Sequence, residues 1–409
     1  MSGIGGFKVA TKPIFREITT SRRMFQSITG VLAVLLTAGL AAFFYIEHHG
    51  HYVTGMNNQV VWGMPHVFAI FLIVAASGAA NIGSLGSVFN NTIYQPLGRL
   101  SLLLAMALLV GGLAILVLDL GHADRLIVAM TYYNFKSIFA WNILLYNGFL
   151  VIMTLYLWSM MDRSQQAARL YRPVAYIAFV WRFILTTGTG SIFGFLVARQ
   201  LYDAAILAPV FIAASYVLGT ALFSLVLAFL CKISQRELGL AIQCRLRNTL
   251  AIFIALLLFF ELVRHLTNLY ASEHHGVERF ILVEGGKITG LFWLVQIAFG
   301  SVLPLLLLWL PALRHSLNAL LAAATLAILG GFAQLYVIII GGQLYPLVLF
   351  PNAEVSSTYY DGTVTQYSAS FVELALGVGG MALSFILVFI AVNVLRIVPV
   401  SLSDLDISQ

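Results

Sequence analysis

The chain has 409 residues, 60% of them hydrophobic and only 9% charged, with a mean hydropathy of +0.94. So apolar a composition excludes an ordinary water-soluble globular protein and points to a chain that crosses a bilayer many times. The net charge of +6 calls for no nucleic acid, because the basic residues are placed as membrane topology requires.

Ten apolar stretches of spanning length are predicted as helices, near 27–46, 65–88, 98–118, 138–160, 173–198, 204–231, 246–270, 288–310, 316–340 and 370–395. The fold class is therefore an all-α, multi-pass membrane protein, with a 27–395 transmembrane domain between tails at 1–26 and 396–409. Lys8, Lys12, Arg16, Arg22 and Arg23 precede the first span, and Arg163, Arg169, Arg172, Lys232, Arg236 and Arg245 fall on the same side. The opposite side holds fewer cations, among them Arg125, Lys136, Arg199, Arg279 and Lys287. By the positive-inside rule both termini are cytoplasmic and the protein sits in a bacterial inner membrane. The first stretch lacks a small-residue cleavage pattern and reads as a retained helix.

Charge is expensive at membrane depth, so a local excess of polar groups marks a site. Such an excess stands where the second, third and fourth spans meet the outer face: His66, Asp119, His122, Asp124, Arg125, Tyr132, Tyr133, Asn134, Lys136 and Ser137, with Trp141 one turn deeper. Histidine and carboxylate side chains beside an apolar slot suit proton exchange with a quinone, so His66, Asp119 and His122 are the candidates for proton handling. Taken singly, Arg125, Lys136 and the tyrosines are equally well interface anchors, and Asp124 with Arg125 a local salt bridge.

Further along, Arg182 lies within the fifth span and is followed by Thr186, Thr187, Gly188, Thr189, Gly190 and Ser191, a stretch of low helix propensity. It reads either as a helix break lining a proton path, with Glu261 and Glu373 as further members, or as close helix packing. Glu261, Arg264 and His265 stand at i, i+3 and i+4 and are expected to satisfy one another. The string Glu-His-His-Gly occurs from Glu47 and again from Glu273; with His51 these histidines read as two solvated loops, since a haem or metal would want ligands inside the bundle. Two long outer loops, 271–287 and 341–367, the second with Tyr345, Pro346, Pro351, Tyr359, Tyr360 and Asp361, are expected either to cap the outer face and dock a partner or to be packed connectors. Cys231 and Cys244 are the only cysteines, too few for an iron-sulfur centre, and no nucleotide-binding glycine pattern occurs.

Three motifs carry a resemblance. WGMPHVFAIFLIVAASGAANIGSLGSVF from Trp62, LDLGHADR from Leu118 and YNFKSIFAW from Tyr133 resemble the NrfD-like membrane subunits of polysulfide-reductase-type complexes. The wording of MNNQVVWGMPHVF from Met56 and LIVAMTYYNFKSIFAWN from Leu126 is most similar to the DsrP type of the sulfite-reductase-associated Dsr complex. The resemblance implies two four-helix bundles flanked by helices 1 and 10, with a site for menaquinone or ubiquinone at the outward end of helices 2 to 5. It implies electron exchange with a ferredoxin-like iron-sulfur subunit on the periplasmic face. In a Dsr-like complex a multihaem cytochrome, a membrane cytochrome b and cytoplasmic iron-sulfur subunits join it, with proton translocation as an accompanying role. Ser77 stands where many members carry a His, and His122-Ala123 where Arg-Pro is common. Ser77, Arg125, Tyr132, Tyr133, Asn134, Ser137 and Trp141 are the quinone-binding candidates, and Arg182, Thr187, Glu261 and Glu373 those for a proton path. From another class, a secondary transporter would use a broken fifth helix and Arg182 to bind a small anion, but such folds show matching breaks in both halves, and the later helices lack one.

Overall fold

A computed structural model describes residues 13–347 and 363–404. Lys8, Lys12, Pro351, Tyr359, Tyr360, Asp361 and the last five residues lie outside that range. Among the described residues, ten helices are long and apolar enough to cross a membrane: α1 (Arg22–His49), α2 (Met64–Ser87), α3 (Gln95–Leu118), α4 (Ile138–Met161), α5 (Gln165–Gly194), α6 (Leu207–Ile233), α7 (Leu240–Tyr270), α8 (Lys287–Trp309), α9 (Leu317–Leu344) and α10 (Phe371–Val394). The protein is an all-α, multi-pass membrane protein, as its composition requires.

Serine side chains open four of these helices. Ser21, Ser164, Ser316 and Ser370 each accept a hydrogen bond from a backbone N–H in the first turn, which satisfies a donor that the helix itself leaves free. Helices α2 to α5 pack as one four-helix group and α6 to α9 as another, joined chiefly by α2 against α6. That crossing is tight: a Cβ on Gly78 would run into the backbone of Ser215, and one on Gly219 into Gly78. α10 packs on α2 and α3, and α1 packs on α10. The apolar stretch of α2 is completely buried whereas that of α1 is only 11% buried, so α2 is the axis of the first bundle and α1 faces lipid.

The described termini meet at one end of the molecule. There β1 (Phe15–Arg16) pairs antiparallel with β2 (Val398–Pro399), and Arg236 donates to the carbonyls of Glu17, Val398 and Pro399. Asp404 accepts from the N–H groups of Leu240 and Ala241, the first donors of α7. This is the basic end; the opposite one, where α2 begins and α3 ends, is the site end.

Two expectations need correction. α5 starts at Gln165, well before residue 173, because its first two turns are polar and invisible to hydropathy, and Pro173 lies inside it. Nor does α5 break at 186–191: Thr186 and Thr189 donate their hydroxyls to the carbonyls of Arg182 and Leu185 one turn back, so the helix absorbs these residues. The irregular winding lies in the second bundle instead, where α8 widens to a π-helix over Leu291–Val302 and α9 over Val337–Gly341. A transporter built on an interrupted α5 loses its structural basis.

Candidate functional site

The site end owes its geometry to where α2 begins and α3 stops. Pro65 occupies the first turn of α2, where its missing N–H costs nothing, and His66 follows directly. α3 ends at Leu118 with Asp119 as its cap, and the chain then turns through Gly121 at φ +72°. A Cβ at 121 would be strained by that angle and would sit 2.8 Å from the His51 ring. The carboxylate of Asp119 is thereby held between two imidazoles. His66 Nδ1 lies 3.0 Å from Asp119 Oδ2, and His51 Nε2 lies 3.9 Å from Oδ1 while donating to the Asp119 carbonyl at 3.1 Å. The Asp119 side chain is 1% exposed, against 26% for His66 and 38% for His51. The His66 contact is close but off line, so neither atom spends a directed hydrogen bond on the other.

His66 and Asp119 line a cavity of about 700 Å³, the size of a small-molecule site. Its walls are mostly apolar, with Ile70, Leu116 and Phe139 among them. Trp62 forms one side, its ring 5.6 Å from that of Phe193 and 6.1 Å from the His66 imidazole. Among the described residues, polar side chains reach it from His66, Asp119, His122, Arg125, Trp62, Asn142, Tyr146 and Asn147. Asn142 donates to the carbonyls of Ile138 and Gly188 and leaves its own Oδ1 without a hydrogen-bond donor. A flat ring with two oxygens fits this lining: aromatic faces, an imidazole within reach, and a buried carboxylate behind it.

The segment leading into α2 is clamped from several sides. Gln343 Oε1 accepts from the N–H groups of Val61 and Trp62, and its Nε2 donates to the carbonyls of Trp62 and Ile339. Arg199 donates to the carbonyls of Gln59 and Gln343. Glu373 accepts from Gly55, Met64 and Ser370 N–H and, at 2.6 Å, from the Tyr367 hydroxyl. Burial pushes the Tyr367 phenol up and the Glu373 carboxylate adds to the rise, so it stays a proton donor.

Several predicted residues find other places. His66, Asp119, His122 and Arg125 line the cavity, as does Asn142, which hydropathy and charge do not single out. Ser77 does not: it lies deep in the α2–α5 contact, its hydroxyl 2.6 Å from that of Thr186 and 3.3 Å from the Arg182 carbonyl. Tyr132 is 83% exposed. Tyr133 stacks beside Phe135, Asn134 accepts from the Lys136 N–H, Ser137 closes that turn, and Trp141 donates to the Phe135 carbonyl. These five belong to the turn before α4 and the first turn of that helix, and they do not line the cavity. The Asp124 side chain lies outside the described ones.

The four proton-path candidates share no hydrogen-bond partner. Arg182 is buried, with its guanidinium 4.7 Å from the Phe179 ring and 5.3 Å from that of Phe183, and its nitrogens make no hydrogen bond to described groups. Thr187 points outward. Glu373 caps α10, and its acceptor capacity is taken up by the loop it organises. Glu261 belongs to the second bundle, where it lies 3.5 Å from Arg264 and 3.4 Å from His265 and accepts from Gln334 at 2.5 Å. His265 lies 2.7 Å from Glu278, which also accepts from Asn268. Burial by itself raises the Glu278 carboxyl, but the bonds from His265 and Asn268 outweigh it and hold it below the usual range. The void beside Glu261 is about 10 Å³, room for one water.

The histidine repeat is also revised. His48 and His49 end α1, His51 reaches Asp119, and His274 is buried 3.6 Å from Glu273, so only part of it is solvated.

Comparison with known proteins gives a consistent result. The profile described as polysulphide reductase, NrfD matches residues 52–346. An Hdr-like menaquinol oxidoreductase integral membrane subunit of Archaeoglobus fulgidus is 26% identical over 390 residues, covering 94% of this chain and 96% of the relative. A selenate reductase subunit of Mesobacillus selenatarsenatis is 23% identical, covering 93% and 95%. A putative dimethyl sulfoxide reductase membrane subunit of Halobacterium salinarum is 27% identical, covering 93% and 92%.

Proposed function

The chain belongs to the polysulphide reductase NrfD family, and from that premise we propose that it is the quinone-reactive membrane subunit of an oxidoreductase complex. The observation that carries the reading is the His66–Asp119 pair at 3.0 Å on the wall of a 700 Å³ apolar cavity. The relative named for menaquinol chemistry supports it. Oxidation of a quinol releases two protons and two electrons, and the two need separate exits. His66 takes a proton from a quinol hydroxyl and Asp119 stabilises the imidazolium so formed; His122, at the cavity wall, is placed to handle the second. Reduction runs the same steps backwards.

The electrons pass to a ferredoxin-like iron-sulfur subunit docked at the site end, since the two cysteines of this chain are too few to ligate a cluster. The site end is then the outward face of a cytoplasmic membrane, opposite the basic end. Dsr-like partners, a multihaem cytochrome, a membrane cytochrome b and cytoplasmic iron-sulfur subunits, belong to the same reading.

The test is quinol-dependent reduction of the iron-sulfur partner in complexes purified with His66→Ala, Asp119→Asn or His122→Ala. Asp119→Asn keeps the shape and removes the base, and the rate should fall about 10²-fold or more with assembly intact. Wild-type rates and quinone affinity in all three variants would refute the assignment.

A further inference from the structure

A second cavity, of about 560 Å³, lies between α1, α6 and α10 in the half of the molecule toward the basic end. Its walls are apolar, with Val31 and Leu32 from α1, Val226 and Phe229 from α6, and Phe385 and Phe389 from α10. Only Ser27, at the start of α1, brings a hydroxyl to it. A quinone ring would find no imidazole or carboxylate there.

Length decides what can fill it. Along α6 the lining runs from Leu222 to Leu230, about 12 Å at the rise of an α-helix. A hydrocarbon core is about 30 Å thick, so the groove serves one leaflet. A crossing helix from a second copy or another subunit would need the full thickness. One lipid tail needs only half.

Charge marks the headgroup end. Arg23 precedes Ser27 by four residues on α1, and Lys232 follows Phe229 by three on α6, so each continues the stripe of its helix that lines the groove. Both side chains are exposed, and neither has an ion-pair or hydrogen-bond partner among the described residues. By contrast Arg396, at the end of α10, already lies 3.7 Å from Glu17.

We propose that this groove binds one anionic phospholipid, with a tail between α1, α6 and α10 and its phosphate on Arg23 and Lys232. The site is separate from the quinone cavity and would cover part of the otherwise lipid-facing α1 beside α6 and α10.

The full chain is reconstituted in nanodiscs of phosphatidylcholine containing a small fraction of phosphatidylglycerol that carries a photoactivatable group midway along one tail. Label should map to 27–32 and 222–230, and the matching phosphatidylcholine probe should label these segments weakly. Replacing both Arg23 and Lys232 by Gln should lower phosphatidylglycerol labelling about fivefold for each cation removed. Leu225→Trp, which fills the slot and leaves both charges, should abolish it. Equal labelling by the two lipids, or labelling unchanged in the double variant, would overturn the proposal. So would displacement of the label by a long-tailed quinone, which would give the groove to a quinone tail.

Discussion

The two polar regions of this protein use the same residue types to opposite ends. In the first bundle, His66 and Asp119 face a cavity of about 700 Å³ through a contact that is close but poorly aligned. In the second, Glu261 and Glu278 each have two or more partners among Arg264, His265, Asn268 and Gln334, and the void beside them admits one water. Acid beside histidine within a membrane is therefore not itself the signature of chemistry. Room for a ligand and a buried carboxylate with no directed hydrogen bond are what separate a site from an internal strut.

The sharpest way to break this contrast is to remove one acid from the strut. Glu261→Ala strands Arg264 in the interior, and the loss should be about 3–5 kcal/mol of stability, read as a lowered unfolding midpoint or failed assembly. Were Glu261→Ala as stable as wild type but inactive, the second bundle would hold chemistry and the contrast would fall.

A smaller effect is expected from the clamp around the cavity. Gln343→Leu removes three side-chain hydrogen bonds to the segment before α2 and one to Ile339 on its own helix. A stability loss of about 1–3 kcal/mol should accompany weaker quinone binding, because Trp62 and His66 are no longer held in register. Unchanged quinone affinity would mean that the slot does not depend on this segment.

The smallest effect concerns pH. Glu278 lies outside the spans, and its folded carboxyl sits below the usual range. Its contribution is complete above the ordinary carboxylate value, roughly 4.3, and is lost as pH falls through the depressed folded value. The unfolding midpoint should hold from neutral pH to about 5 and drop below that, and Glu278→Gln should flatten the drop. An equal acid drop in that variant would place the pH sensitivity elsewhere.

Much of this architecture was legible in the chain. Hydropathy reports apolar segments of spanning length, buried or lipid-facing alike, so the ten spans and their order follow from it, and the scarcity of charge led to His66, Asp119 and His122. What it could not give was lateral register. His51 looked like a loop residue because its partner Asp119 is 68 positions away, and Glu373 looked like a proton carrier because its donors come from the 55–64 segment and Tyr367. The hydroxyl-rich stretch of α5 looked like a break because propensity scales do not see the back-bonds that Thr186 and Thr189 make. Asn142 carried a signal that could have been used, an amide inside an apolar span next to the turn already singled out.

The central claim, that the quinone binds between α2, α3 and α4 at the site end, is met most directly by photolabelling the purified complex with an azido-quinone whose reactive group is on the ring. The account predicts label on the peptides holding Trp62, His66 and Phe139, reduced in Asp119→Asn and competed by excess quinone. Label confined to α1, α6 and α10, or to the second bundle beside Glu261, would contradict it.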